Sequence, residues 1–294
     1  MRLKILGAPL TDHAPPPFDL VAQLGEQGLV EPGARFETLY GGRTNQVWKV
    51  QGGHCDSVLK LYRTTLRNPL FGNDAGHEAA CLRALQSTGF VPNLRATGAF
   101  EGDRWVLYDH APGAPWRQGA DKVGRLLRKL HGVPAEVSVP PGCNGSADLA
   151  RHGARILAGC QSDRRDALAA MQPQSTVAPS SKTCLVHGDP VPGNILEDET
   201  GLTLIDWQCP VMGDPCEDLA MFLSPAMQHL YRSEPLSTDE EAAFLVAYDD
   251  ADTVDRYQML KPWYAWRMAA YCLWRAENGS PDYLTGLELE LAAL

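Results

Sequence analysis

Residues 185–220 read LVHGDPVPGNILEDETGLTLIDWQCPVMGDPCEDLA. Within them His187, Asp189, Asn194 and Asp206 stand at the ends of short apolar runs, with loop residues between. Polar side chains at strand ends and loop tips can converge on one point. Asp189 precedes Asn194 by five residues and Asp206 by seventeen. Two carboxylates and an amide in this order suit phosphoryl transfer. One carboxylate takes the proton of an attacking hydroxyl, while the amide and the second carboxylate hold Mg2+ on the phosphates.

Such convergence needs strands that end together. Residues 184–187, 194–197 and 202–206 predict three of them. Upstream, residues 18–24 predict a short amphipathic helix, and residues 36–40, 47–51 and 57–62 predict strands. Gly41-Gly42 and Gly52-Gly53 punctuate these as hairpin turns. Residues 74–88 have helical spacing, with Ala79, Leu82 and Leu85 on one face. Residues 94–100 and 104–109 predict two more strands. A small antiparallel sheet carrying one helix is the economical arrangement for residues 30–110.

The pattern changes after Ala111-Pro-Gly-Ala-Pro115. Val123, Leu126, Leu127 and Leu130 fall at i, i+3, i+4 and i+7, which predicts an amphipathic helix ending near His131-Gly132. Pro/Ser-rich residues 133–146 and 172–183 predict loops, and from about Pro215 the chain reads as helices rich in Trp and Tyr. The expected architecture is α+β and bilobal: an N-lobe over 1–110, then a mostly helical C-lobe over 111–294.

Composition narrows the function further. The 294 residues are 44% apolar and carry a net charge of −10, which disfavours disorder and nucleic-acid binding. No apolar run approaches the ~18 residues of a membrane span. The N-terminal apolar stretch is too short to read as a signal peptide, so the cytoplasm is the expected compartment. The charge is uneven: residues 1–110 are neutral, 111–230 carry −3 and 231–294 carry −7. The last region fits either a solvated helical surface or a field that draws in a cationic ligand. Eight cysteines show no C-x-x-C pair and no Cys/His ligand spacing, so reduced, structural thiols and no zinc site are expected.

H-G-D-x-x-x-x-N, followed by I-D-W and then G-D-P-x-x-D-L-A, resembles the signature of the aminoglycoside phosphotransferase and choline kinase superfamily. The fold of that superfamily is similar to that of protein kinases. The resemblance runs over roughly residues 35–285 and implies Asp189 as catalytic base, Asn194 and Asp206 as Mg2+ ligands, and His187 and Asp218 as supports of the loop. Gly41-Gly42-Arg43-Thr44-Asn45 resembles the family's G-G-x-[ST]-N loop, which brings Gly42, Thr44 and Asn45 to the phosphates of ATP. Lys60 stands on the strand where these enzymes keep a cation for the α- and β-phosphates. Glu78, on the following helix, is placed to pair with it. Tyr108, Asp109 and His110 mark the interlobe hinge, where main-chain groups read adenine. No long activation loop or A-P-E segment follows Asp206, which favours a small-molecule kinase over a protein kinase.

Residues 262–283, PWYAWRMAAYCLWRAENGSPDY, are dense in aromatics. Trp263 and Trp266 are three apart and share a helical face, a spacing that serves core packing as well as binding. W-x-x-W with D-Y sixteen residues on resembles the end of choline kinases, where such residues cage a quaternary ammonium. The resemblance thus assigns Trp263, Trp266 and Tyr283 to the acceptor. Two departures bear on this: Gly188 replaces the Asn of an H-N-D motif, and Gln208-Cys209 stand where an acid often follows. The expectation is an ATP- and Mg2+-dependent kinase for a hydroxyl of a small cationic alcohol, choline or a related amino alcohol first. An aminoglycoside, thiamine or a sugar are the alternative acceptors, and a nucleotide-binding pseudokinase is the rival of another class.

Overall fold

Period-two alternation sorts residues 57–62 onto two faces of a strand, with Val58, Lys60 and Tyr62 on one and Leu59 and Leu61 on the other. That sorting organises the N-lobe. The computed structural model describes residues 14–39, 45–53, 55–62, 68–134 and 136–294. Helix α1 (Phe18–Glu26) leads into strands β1 (Arg35–Thr38), β2 (Gln46–Gln51) and β3 (Ser57–Tyr62), then α2 (Ala75–Leu85), β4 (Leu94–Phe100) and β5 (Asp103–Asp109). The five strands form one antiparallel sheet in the order β1-β2-β3-β5-β4.

Each face of the sheet has its own cover. Leu59 and Leu61 of β3 and Trp105 and Leu107 of β5 pack with Leu20 and Leu24 of α1 into one apolar cluster. Gly98 is required there, because a Cβ would stand 2.3 Å from the Trp105 ring. Val58, Tyr62, Val106 and Tyr108 point the other way, into the cluster shared with Leu82 and Leu85 of α2 and with the C-lobe. Lys60 therefore faces the lobe interface. Asp74 caps α2, accepting from the His77 N–H at 2.9 Å, and a short 3-10 turn over Gln86–Thr88 completes the predicted helical stretch.

The C-lobe continues with β6 (Ala114–Pro115), α3 (Ala120–His131), α4 (Ser146–Leu157) and α5 (Arg164–Ala170). Strands β7 (Cys184–Val186), β8 (Ile195–Asp198), β9 (Gly201–Leu204) and β10 (Val211–Gly213) follow, then α6 (Cys216–Leu223), α7 (Pro225–Arg232), α8 (Thr238–Tyr248), α9 (Ala251–Glu277) and α10 (Tyr283–Ala292). Val123, Leu126, Leu127 and Leu130 of α3 are buried, on the face their spacing defines. Two small ladders frame the segment of interest: β7 pairs with β10, while β8 pairs with β6 and β9. Among the described residues no helix is long and apolar enough to cross a membrane.

Candidate active site

The loop after β7 is held by buried carboxylate and imidazole groups. The His187 and Gly188 N–H groups both donate to Asp218 of α6, at 2.8 Å each. His131, at the end of α3, lies with Nε2 3.0 Å from the same carboxylate and Nδ1 2.8 Å from the Tyr248 hydroxyl. Asp218 is fully buried, and these donors compensate a charge that would otherwise be costly there. His187 is used at both nitrogens: Nε2 donates to the Ile205 carbonyl at 3.0 Å, and Nδ1 accepts from the Asp189 N–H at 3.2 Å. This fixes a neutral imidazole, and burial holds its pKa below the usual value. Gly188 has φ +86, and a Cβ there would stand 2.4 Å from the Cys209 carbonyl, so glycine permits the turn. The structure places His187 and Asp218 in the scaffold of the loop; His131 and Tyr248 extend it.

Asp189 projects from this loop almost wholly buried, at 8% exposure. Asn194 donates through Nδ2 to both the Asp189 carbonyl, at 2.9 Å, and its carboxylate, at 3.1 Å. Burial, with Asp206 nearby, pushes the Asp189 pKa up to about 7 against the lowering effect of that amide. Asn194 is positioned by Pro192, which opens a 3-10 turn, and its carbonyl accepts from the Ile205 N–H at 3.0 Å. Beyond β9 the chain turns sharply at Asp206, whose φ of +66 is left-handed for a non-glycine residue, a conformation that costs ~1–2 kcal/mol. That turn carries the Asp206 carboxylate to Lys60, with which it pairs.

Lys60 also pairs with Glu78 of α2 at 3.0 Å, so three elements meet on one buried ammonium. Burial alone would lower the Lys60 pKa, but the Asp206 and Glu78 charges outweigh it and keep the lysine charged. With Asp189 ionised, Lys60, Glu78, Asp189 and Asp206 together carry two excess negative charges. A divalent cation bound with phosphates would offset them. An amide oxygen and carboxylate oxygens are the hard donors Mg2+ prefers, and too few for a cage made by protein alone. The residues present therefore fit Mg2+ held jointly by Asn194, Asp206 and a ligand's phosphates.

The N-lobe residues expected at the nucleotide divide. Gly42 and Thr44 lie outside the described residues. Asn45 donates through Nδ2 to Gln208 Oε1 at 2.7 Å and to Asn73 Oδ1 at 2.8 Å, and accepts from Asn73 Nδ2 at 2.9 Å. Its side chain is thus a strut between lobes, and Gln208, one of the departures noted above, is its C-lobe anchor. The Asp74 N–H donates to the Gln208 carbonyl at 3.0 Å, tying α2 to the same point. Tyr108 is buried, which pushes its pKa up. Asp109 accepts from Arg95 Nε at 2.5 Å and Asn93 Nδ2 at 3.0 Å, and the His110 N–H donates to the Asp56 carbonyl at 3.0 Å. These contacts hold the end of β5 and the residue after it to the N-lobe, and burial lowers the His110 pKa.

Asp189, Asn194 and Asp206 open on a pocket whose far wall includes Phe71, Tyr271, Arg275 and Tyr283. It shares Asn68, Leu70, Phe71, Gln208 and Met221 with a neighbouring cleft of ≈ 700 Å³. Tyr283, which the resemblance assigns to the acceptor, lines this pocket, but Trp263 and Trp266 do not. Their indole N–H groups donate to Ser175 Oγ at 3.0 Å and to the Leu168 carbonyl at 2.8 Å, and the Trp266 ring packs on Gly153 of α4. The reason is helical geometry. Tyr271 lies about 12 Å further along α9 than Trp263 and about 80° round the axis, so one aromatic-rich helix serves a core face and a pocket face.

The acidic C-terminal region is likewise elsewhere. None of its twelve Asp and Glu residues lines the pocket or the cleft. Glu240 pairs with Arg232, Glu241 with Lys261, Asp250 with Lys182 and Glu288 with Arg164. The surface explanation of that charge holds for these residues. Sequence reasoning missed His131, Asn73, Tyr271 and Arg275. Only Tyr271 and Arg275 carried a signal, their i, i+4 spacing on a helix already marked as aromatic.

The protein has the bilobal protein-kinase-like fold: a sheet-built N-lobe, a helical C-lobe and the site between them. Solved structures share it. The choline kinase LicA from Streptococcus pneumoniae is 16% identical with a TM-score of 0.63, over 93% of this chain and 98% of that one. A thermostable aminoglycoside phosphotransferase in ternary complex with AMP-PNP and hygromycin B is 14% identical with a TM-score of 0.66, over 94% and 98%. An aminoglycoside-3'-phosphotransferase of type VIII is 22% identical with a TM-score of 0.55, over 82% and 96%. At these identities the likeness is one of fold. No curated protein matches the chain in sequence. The family profile of phosphotransferase enzymes, however, matches residues 35–263, most of the chain and the whole segment that carries Asp189, Asn194 and Asp206: the chain belongs to the phosphotransferase enzyme family.

Proposed function

We propose that the protein is a small-molecule kinase that transfers the γ-phosphoryl group of ATP to a hydroxyl bound beside Asp189. One observation carries this reading. A buried, Asn194-held carboxylate shares a pocket with Asp206, and Asp206 is paired to the Lys60–Glu78 couple. Asp189 orients the acceptor hydroxyl and takes its proton as the oxygen attacks the γ-phosphorus. The bond to the β–γ bridging oxygen breaks, and ADP leaves. Lys60, kept charged by its two carboxylates, offsets charge on the phosphates. Mg2+ held by Asn194 and Asp206 supplies further charge neutralisation on the phosphate oxygens when bound. ATP as donor is supported by the AMP-PNP held in a neighbour of the same fold.

The acceptor is a small molecule seated between Asp189 and the Tyr271–Tyr283 wall. A choline-like cation loses the support of a tryptophan cage, because Trp263 and Trp266 are spent in the core. The complete set Asp189, Asn194, Asp206, Lys60 and Glu78 argues against a pseudokinase. A panel of amino alcohols, sugars, thiamine, hydroxy acids and aminoglycosides tests the proposal through acceptor-dependent ADP release. At least one alcohol is expected to raise ADP release well above the rate without acceptor. ATP binding with no stimulation by any acceptor class would overturn it.

A further inference from the structure

The pocket is lined by a cation that meets no carboxylate among the described residues. Arg275 of α9 lines the pocket together with Asp189, Asn194 and Asp206. Its guanidinium lies over the Tyr283 ring, 5.1 Å from the centroid. Nη2 donates to Ser280 Oγ at 2.9 Å, and Nε is buried without a hydrogen-bond partner. Among the described residues no carboxylate pairs with it. Arg267, two turns earlier on the same helix, also has a buried Nε without a hydrogen-bond partner, but its charge is met by both Glu217 oxygens, at 3.0 and 2.9 Å.

These observations bear on what the pocket accepts. A ring face that already holds a guanidinium does not welcome a second cation, because the two would share one quadrupole and repel each other. Of the other aromatics lining the pocket, the Tyr271 ring is stacked on Trp274 with centroids 6.1 Å apart and lies tilted against Phe71 at 6.3 Å. A guanidinium with an unspent, buried N–H is instead suited to an oxyanion, which matches its planar fork. We propose that Arg275 selects an acceptor alcohol bearing an oxyanion, carboxylate or phosphate, besides the hydroxyl that meets Asp189. The assignment rests on the kinase reading and names the substrate class that reading leaves open.

Four short alcohols that differ in charge test it: choline, glycerol, D-glycerate and glycerol 3-phosphate. Their dissociation constants are measured by calorimetry on the full chain with Mg·ADP, for wild type, Arg275→Gln and Arg275→Lys. At least one anionic alcohol is expected to bind wild type 10-fold or more tighter than glycerol and choline. Arg275→Gln should weaken that alcohol by about 10- to 100-fold, the range for a hydrogen bond to a charged group, with partial rescue by Arg275→Lys. Preference for glycerate assigns a carboxylate, and preference for glycerol 3-phosphate assigns a phosphate. The inference is overturned if choline or glycerol binds as tightly as the anions, if neither anion binds measurably, or if Arg275→Gln leaves the ranking unchanged. Should the Gln variant fail to fold, the Lys variant and the wild-type ranking decide alone. Mg·ATP binding and Asp189-dependent ADP formation, read on the same preparations, report on the kinase reading separately. Their absence breaks that reading, whereas their presence with a failed ranking breaks only the acceptor assignment.

Discussion

The Asp189 loop and the proposed acceptor wall line one pocket but are built on different terms. Around the loop, buried polar groups are matched: Asp218 holds two backbone N–H groups and His131, His187 bridges Ile205 and Asp189, and Asn194 closes on Asp189. On the wall, Tyr271 and Tyr283 pack edge to face with centroids 5.9 Å apart, while Arg275 keeps a buried N–H unspent. A site that must place reacting atoms reproducibly needs the first kind of construction, because each satisfied donor removes an alternative conformation. A site that must admit a particular molecule keeps a group in reserve for it. On the proposed reading, the difference separates the residues that carry out transfer from those that choose the acceptor.

Breaking the loop should have the largest effect. Asp218→Ala strands two N–H donors and His131, and an expected loss of about 3–5 kcal/mol should appear in urea denaturation. A loss below 1 kcal/mol would show that the loop holds itself. On the other helix face, Trp266→Ala should also cost about 3–5 kcal/mol, as for a buried aromatic. Acceptor KM should stay near wild type in whatever fraction remains folded. A rise in KM without a loss of stability would return Trp266 to the acceptor site.

Glu290, beneath the wall on α10, sharpens the comparison through pH. It is buried and accepts from Ser224 Oγ and the Ala226 N–H, yet burial pushes its pKa up to about 7. The folded state therefore holds this proton more tightly than the unfolded state does. Stability should be greatest below about pH 4.5 and fall as pH rises to about 7, by on the order of 3 kcal/mol for this group. Glu290→Gln should remove that part of the slope, and an unchanged slope in thermal melts across pH 4–8 would refute the assignment. The smallest effect is expected at the lobe strut. Gln208→Ala removes the anchor of Asn45 and should cost about 1–2 kcal/mol while raising the KM for ATP severalfold. An unaltered KM would show that the Asn45–Gln208 strut does not bear on ATP binding.

The legibility of these regions in the sequence follows their construction. The loop's polar residues His187, Asp189, Asn194 and Asp206 lie within twenty positions and between short strand periods, so its place could be read; of its partners Asp218 came only with the resemblance, and His131, far away in the chain, gave no sign. Lys60 was placed on its strand by the resemblance, and the strand's alternation turns it toward the lobe interface. The acceptor wall draws on Phe71, Met227, Tyr231, Tyr271 and Tyr283, brought together only by tertiary packing that no spacing marks. Trp263 and Trp266 drew attention because aromatic density is visible along a helix, whereas the face that meets solvent or ligand is set by what packs against it. β10 (Val211–Gly213) and α5 (Arg164–Ala170) were too short to impose a period.

The central claim is that Asp189 activates an acceptor hydroxyl against ATP. Its most direct test is phosphate transfer from γ-labelled ATP, with ATP affinity measured in parallel, for wild type and Asp189→Asn. The account predicts ATP affinity within about threefold of wild type and transfer lower by about 10²- to 10⁴-fold, the contribution of a general base. Transfer by Asp189→Asn at the wild-type rate would contradict it.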